Sequence, residues 1–213
     1  VLAVLLLTSV QTAWAEDDWT ALTNRGKQQE SEQKYANAEQ SYTQALSIAA
    51  ADKSNKVRTA QSLVNLATIL RQTGKLDQAE NMFARAIELE EQIIPPDLTR
   101  LSQALTNYAT LLIQRGKNAL AADLCTRNLI ICQMAFGADS QQVGSICLTL
   151  ADLYFHQGKY QESLACSNRA QSIITKVEGA DGPSMAAAYT CMAMVEDKYE
   201  QNKQAESHYK QAI

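Results

Sequence analysis

The sequence predicts an all-α fold made of antiparallel helical hairpins stacked in a row. Within residues 66–87, small and large apolar residues alternate on one face of two amphipathic segments, which a Gly74-Lys75 turn separates. The same two residues recur at successive 42-residue intervals, as Gly116-Lys117 and Gly158-Lys159. No stretch of alternating apolar and polar residues indicates a strand.

Two sets of small residues repeat through five copies of this pattern. The first helices carry Gly26, Ala67, Ala109, Ala151 and Ala193, and the second helices open with Ala38, Ala79, Ala121, Ser163 and Ala205. Small residues allow two helix axes to approach closely, so each pair marks the contact inside one hairpin. A period of 41 or 42 residues over five copies predicts a solenoid, in which each hairpin buries its apolar face against its neighbours.

The hairpins are expected at about residues 19–51, 57–94, 97–136, 140–178 and 183–213, with Pro95 and Pro96 between the second and third hairpins and Pro183 at the start of the fifth. The last hairpin stops inside its second helix without a polar capping helix, so we expect the native chain to continue past Ile213. The third and fourth hairpins depart from the repeat at four positions, which indicates looser packing there: Cys125, Asn128, Ser163 and Ser167.

The second helices of the first two hairpins carry a small-x₃-aromatic-x₂-small pattern. It reads A-E-Q-S-Y-T-Q-A at 38–45 and A-E-N-M-F-A-R-A at 79–86. Here the chain resembles the tetratricopeptide repeat (TPR) family, whose usual repeat is about 34 residues. The longer period is similar to that of the kinesin-light-chain-like subclass. The resemblance covers roughly residues 19–213 and implies a right-handed superhelical solenoid.

The resemblance also implies a binding site. In TPR proteins the first helices line a concave groove, where an asparagine contacts the backbone of a bound extended peptide. An amide suits this task because it both donates and accepts hydrogen bonds. The expected groove residues occupy two positions, one helical turn apart, on successive first helices: Asn24, Lys27, Asn65, Thr68, Asn107, Thr110, Thr149 and Asp152. The alternative is that the asparagines are solvated or bond to a neighbouring helix.

Composition and motifs argue against other kinds of site. The net charge is −4 and no cluster of lysine and arginine supplies a footprint for nucleic acid. Asp152 and His156 lie one helical turn apart, but zinc needs three or four ligands. No Ser/His/Asp arrangement, phosphate-binding loop or HExxH motif is present. We therefore expect no enzyme activity, no catalytic residue, no bound metal and no cofactor.

Five cysteines lie in the last three hairpins, and none forms a CxxC pair: Cys125, Cys132, Cys147, Cys166 and Cys191. Most are expected to be small apolar packing residues. A disulfide is the alternative if the protein is exported, with Cys125–Cys147 as the best pair, because second helices pack on the next first helix. The odd number leaves at least one thiol unpaired.

The N-terminus predicts export. An apolar run, Val1 to Val10, is followed by Ala13-Trp14-Ala15 and then by acidic residues, which is typical of the end of a cleaved signal peptide. We expect residues 1–15 to be removed and the mature protein to be periplasmic or secreted, with no other membrane segment. An uncleaved membrane anchor is the alternative.

The leading functional hypothesis is a non-enzymatic interaction module that binds a protein or peptide segment in its groove. The alternative is the N-terminal scaffolding arm of a larger exported protein whose activity lies beyond residue 213. Self-association through the uncapped fifth hairpin is a third option.

Overall fold

The computed structural model describes residues 18–179 and 182–212. The expected signal segment, with its cleavage site before Glu16, lies outside the described residues, as do Ala180, Asp181 and Ile213. Ten helices occupy the described residues: α1 (18–31), α2 (Tyr35–Ala51), α3 (Lys56–Gln72), α4 (Leu76–Glu91), α5 (Leu98–Gln114), α6 (Asn118–Phe136), α7 (Gln141–His156), α8 (Tyr160–Val177), α9 (Met185–Lys198) and α10 (Asn202–Gln211).

The chain divides into two compact units, Val1–Asp97 with α1 to α4 and Leu98–Ile213 with α5 to α10. In the first unit, α3 packs against both α2 and α4. In the second unit, every helix from α5 to α10 packs against the next one along the chain. Short turns join the two helices of each hairpin, and no strand occurs in the described residues. The predicted all-α fold of stacked helical hairpins is confirmed.

The turn inside each hairpin requires a left-handed backbone conformation. Gly74, Gly116 and Gly158 have φ angles of 80°, 71° and 74°, which glycine adopts without a steric cost. The corresponding residues of the first and fifth hairpins are Gln33 and Glu200, with φ angles of 58° and 59°. The same turn therefore forms there without glycine, at a conformational cost of roughly 1–2 kcal/mol per residue.

The small residues lie where the helices approach most closely. Ala67 on α3 and Ala79 on α4 are 0% exposed, and Ala151 and Ser163 in the fourth hairpin are also 0% exposed. The other members of both sets are buried too. The face that the sequence pattern assigns to the helix contact is thus the buried face in all five hairpins.

Gly26 is the smallest member of these sets because a large ring lies against it. A Cβ atom added at Gly26 would stand 2.7 Å from Cδ1 of Tyr42, well inside van der Waals contact. Tyr42 is only 1% exposed, and its hydroxyl donates to Oε2 of Glu30 at 3.1 Å. Burial, together with the neighbouring Glu30 carboxylate, raises the pKa of Tyr42. The ring is therefore fixed against the α1 backbone by packing and by a hydrogen bond.

The four residues that depart from the repeat are also buried, between 0% and 5% exposed: Cys125, Asn128, Ser163 and Ser167. The Ser163 hydroxyl donates to the Ala151 carbonyl at 2.7 Å, and the Ser167 hydroxyl donates to the Ser163 carbonyl at 2.9 Å. The polar groups thus have partners, as buried polar groups require. The looser packing expected from the sequence is not seen at these positions.

Replacing Ala67 with leucine should overpack the contact between α3 and α4. Inserting methylenes into a filled contact typically costs about 1–3 kcal/mol, so the free energy of unfolding should fall by about that amount. Urea unfolding followed by circular dichroism measures the change. Ala36→Leu on the exposed first turn of α2 is the matched control and should leave stability nearly unchanged. Equal stability of the two variants would show that the contact is wrongly assigned.

Gly26→Ala should also destabilise the protein, against the usual helix propensity. Alanine in place of glycine in a helix ordinarily stabilises by roughly 0.5–1 kcal/mol, whereas the overlap with the Tyr42 ring should outweigh that gain. Thermal melts of Gly26→Ala in the wild-type and Tyr42→Leu backgrounds separate the two effects. The substitution should lower the melting temperature only while the tyrosine ring is present. A rise in both backgrounds would contradict the close approach.

Candidate functional site

The eight predicted groove residues lie on the first helices of the first four hairpins, two on each of α1, α3, α5 and α7. In the first unit, α1 and α3 are neighbours, because Trp19 Nε1 donates to Ser62 Oγ at 2.8 Å and Gln72 Nε2 donates to Glu30 Oε1 at 3.3 Å. In the second unit, residues of α5 and α7 line one cleft. Four of the predicted residues therefore belong to each unit, and of the four in the second unit Thr149 lines that cleft.

Asn65 is the member of the first group with an unused hydrogen-bonding group. Its side chain is half-buried, and its Oδ1 accepts a bond from Gln61 Nε2 at 3.3 Å. Its Nδ2 is enclosed by protein atoms and has no acceptor. An enclosed donor without a partner costs about 1–3 kcal/mol. A rotation of this side chain toward the surface would offer the donor to a ligand carbonyl.

The threonines of the predicted groove use their hydroxyl protons within their own helices. Thr68, Thr110 and Thr149 donate to the backbone carbonyl four residues earlier, at 2.8, 2.9 and 3.1 Å. A hydroxyl that has donated its proton can still accept a hydrogen bond. These positions therefore offer acceptors, which complement the N–H groups of an extended peptide.

Three further members of the predicted groove, two of them charged, lie at the surface. Asn24 and Lys27 of α1 are exposed, and the Asp152 side chain on α7 is 51% exposed. Asp152 Oδ1 lies 3.4 Å from His156 Nδ1, which also lies 2.9 Å from the Asp152 carbonyl oxygen. No third histidine, cysteine or carboxylate joins this pair, and the described residues hold no group of three that could bind a metal ion.

The five cysteines are free thiols in the structure. Cys125 and Cys147, the pair singled out for a disulfide, belong to one buried cluster of the second unit. Burial raises the pKa of Cys125, Cys166 and Cys191 to about 11, and it also raises the pKa of Cys147. At neutral pH these four side chains are therefore protonated, and they are poor nucleophiles.

A cleft of about 260 Å³ lies between α5, α6 and α7, and sequence reasoning identified only Thr149 among the residues that line it. Its floor consists of Ser102, Cys132 and Ile146, which are 6%, 1% and 8% exposed. None of its lining residues is charged. The sequence signal that marks this place is Asn128, the polar residue at a repeat position that carries alanine in each of the other four hairpins.

Among the described residues, α6 is the helix whose length and composition would allow it to cross a membrane. In this fold it packs against α5 and α7 and carries the buried residues Cys125, Asn128 and Cys132. Only about 33% of the segment is buried, and Leu120, Ile130 and Met134 on its other face are exposed.

Solved structures share this fold at low sequence identity. A kinesin light chain with TPR-like repeats from Podosopora anserina is 15% identical, with a TM-score of 0.77 over 91% of this chain and 92% of that one. BtubC (BKLC) from P. vanneervenii is 19% identical, with a TM-score of 0.70 over 85% and 71%. The apo form of RapI is 11% identical, with a TM-score of 0.79 over 97% and 56%. At these identities the likeness shows the fold alone.

At the level of sequence, the profile of the MalT-like TPR region matches residues 3–212. No curated protein matches the chain. The profile covers nearly the whole sequence, including every helix described above. The chain therefore belongs to the MalT-like TPR family, and its fold is a TPR-like solenoid of the kinesin-light-chain kind.

Proposed function

We propose that this protein is a scaffold that binds an extended peptide segment of a partner protein along its first helices. The TPR-like solenoid fold supports a role in protein–protein interaction. The observation that carries the finer proposal is the repeated placement of an amide or a hydroxyl group at one position of α1, α3, α5 and α7, with a second hydroxyl one turn further along on α3 and α5.

The chemistry of these positions suits a peptide backbone. An extended segment presents N–H and C=O groups at regular intervals, and each needs a partner once water is displaced. The asparagine amides supply donors and acceptors, and the Thr68, Thr110 and Thr149 hydroxyls supply acceptors. Such bonds do not depend on the side chains of the ligand, so the identity of the partner must be decided elsewhere on the surface.

A non-enzymatic role fits the same observations. TPR solenoids related to this chain are typically interaction modules. The thiols with a perturbed pKa are less acidic than ordinary cysteines, whereas a catalytic thiol requires a lowered pKa.

A second candidate is that the chain forms the scaffolding arm of a larger exported protein. The observation in its favour is that the matching region spans only 56% of RapI, so solenoids of this length occur within longer chains. Sequencing the native gene past codon 213 tests the two candidates, since a capping helix there would favour the first and a domain with a catalytic motif would favour the second.

Asn65→Ala combined with Asn107→Ala should weaken peptide binding at least about tenfold, which corresponds to about 1.4 kcal/mol. Each substitution removes hydrogen bonds to the peptide backbone in a partly desolvated groove. The probe is a set of peptides selected on the wild-type protein from a random peptide library, with affinities measured by fluorescence anisotropy. Stability should not fall, because neither side chain belongs to the apolar interface and Asn65→Ala also removes an enclosed donor that has no acceptor.

The matched control is Asn81→Ala combined with Asn168→Ala, which removes one exposed asparagine from a second helix in each unit. This variant should bind the selected peptides like the wild type. The proposal fails if both double variants bind equally well, or if the first loses stability while its affinity is unchanged. In either case the asparagines would be structural, and the outer surface or the loops would become the binding region.

We also propose that the protein is exported and that its signal segment is cleaved after Ala15. The apolar run at residues 1–10 and the Ala13-Trp14-Ala15 motif support this proposal. N-terminal sequencing of the protein recovered from its native host should begin at Glu16. Recovery from the cytosol with residues 1–15 intact would refute export.

A further inference from the structure

The cleft between α5, α6 and α7 has a buried floor and a polar, more exposed rim. Ser102, Cys132 and Ile146 form the floor, while Gln142, Ser145 and Thr149 stand at the rim on α7. The cleft volume of about 260 Å³ lies just below the range of roughly 300–1,000 Å³ that is usual for small-molecule sites. It is therefore suited to a single side chain of a larger ligand.

Hydrogen bonds to Asn128 fix the floor of the cleft. Asn128 Nδ2 donates to the Ser102 carbonyl at 3.2 Å and to Thr106 Oγ1 at 2.8 Å, and Cys132 Sγ lies 3.8 Å from Asn128 Oδ1. Ser102 Oγ lies 2.9 Å from Cys132 Sγ. The polar groups of the floor are thus bonded to one another, which leaves the rim groups to interact with a ligand.

At the corresponding place in the first unit the repeat carries an aromatic side chain with its own partners. The residue at the Ser102 position of the first hairpin is Trp19, which bonds to Ser62 and lies under the Arg58 guanidinium at 5.4 Å from the ring centroid. The cleft has Ile146 at the Ser62 position and Gln142 at the Arg58 position. Its walls therefore lack both groups that hold an indole in the first unit.

The lining of the cleft also disfavours a charged ligand group. A charge that enters an enclosed site loses its hydration, and no charged residue among those that line this cleft would compensate for it. Hydroxyls and a carboxamide offer both donors and acceptors at the rim. The best complement is an uncharged group that also donates and accepts, carried on a short apolar stem that can contact Ile146.

We propose that this cleft is a specificity pocket for the carboxamide side chain of a glutamine or asparagine in the bound peptide. The inference rests on the proposed function, because the peptide backbone is held by the groove positions and the cleft selects one of its side chains. In this arrangement Thr149 belongs to both surfaces, since it is a predicted groove residue and also stands at the rim.

The test uses the selected peptides with each position replaced in turn by glutamine, glutamate, leucine and tryptophan. At one position the peptide should bind at least about tenfold more tightly with glutamine than with glutamate. The two side chains have nearly the same shape, but glutamate carries a charge that no residue of the cleft compensates. Ser145→Leu at the rim should abolish that preference, whereas Ser172→Leu, on the exposed surface of α8, should preserve it. A preference for tryptophan or leucine at the position sensitive to Ser145→Leu overturns the proposal.

A second measurement does not depend on backbone binding along the groove. Capped glutamine amide at millimolar concentration should shift the Ile146 methyl signals in the NMR spectrum, and capped glutamate amide should not. If the peptides lose affinity in the Asn65/Asn107 variant but show no glutamine preference, the pocket is wrong and the proposed function stands. If the capped glutamine shifts the Ile146 signals while the asparagine variant binds normally, the pocket stands and the groove is wrong. Absence of any shift contradicts the pocket.

Discussion

The close approach of two helices at a pair of small residues is the constraint on which the rest of this structure depends. In each hairpin, one small residue of the first helix and one of the second are buried at the contact. In the first hairpin this small residue is a glycine, and the Tyr42 ring lies directly against the α1 backbone at Gly26. When the axes are this close, the large residues beside them can fill the remaining space without cavities.

The sequence was sufficient to predict the fold because its signals are local and repeated. The Gly-Lys turns and the small residues recur in a fixed register, and the residues at both sets of positions are where the pattern puts them. A single hairpin would have been ambiguous, whereas five copies with one period leave little alternative to a solenoid. The resemblance to TPR proteins rests on these same repeated residues, and the family match confirms it.

The site was less predictable, because it depends on orientation and on contacts among three helices. The sequence can place Asn65 on a first helix, but it cannot show that its Nδ2 is enclosed and lacks an acceptor. The cleft is formed by serines, threonines and glutamines of α5 and α7 together with Cys132 of α6 and Ile146 of α7, and apart from Thr149 none of these residues stands out in the sequence as part of a site. Asn128 is the residue near the cleft that departs from the repeat. The sequence predicts looser packing there, whereas in the structure its amide forms hydrogen bonds that hold the floor of the cleft.

The helix packing within each unit also bears on how the protein folds and opens. Nearly all contacts join helices that are neighbours along the chain, which gives a low contact order and favours rapid formation of individual hairpins. Stability in such an array is a sum of hairpin terms and of terms for each contact between neighbours. The backbone amide hydrogens of one hairpin should therefore exchange with solvent together, at a rate that differs from hairpin to hairpin. One hairpin can then open locally when a partner binds while the next stays folded.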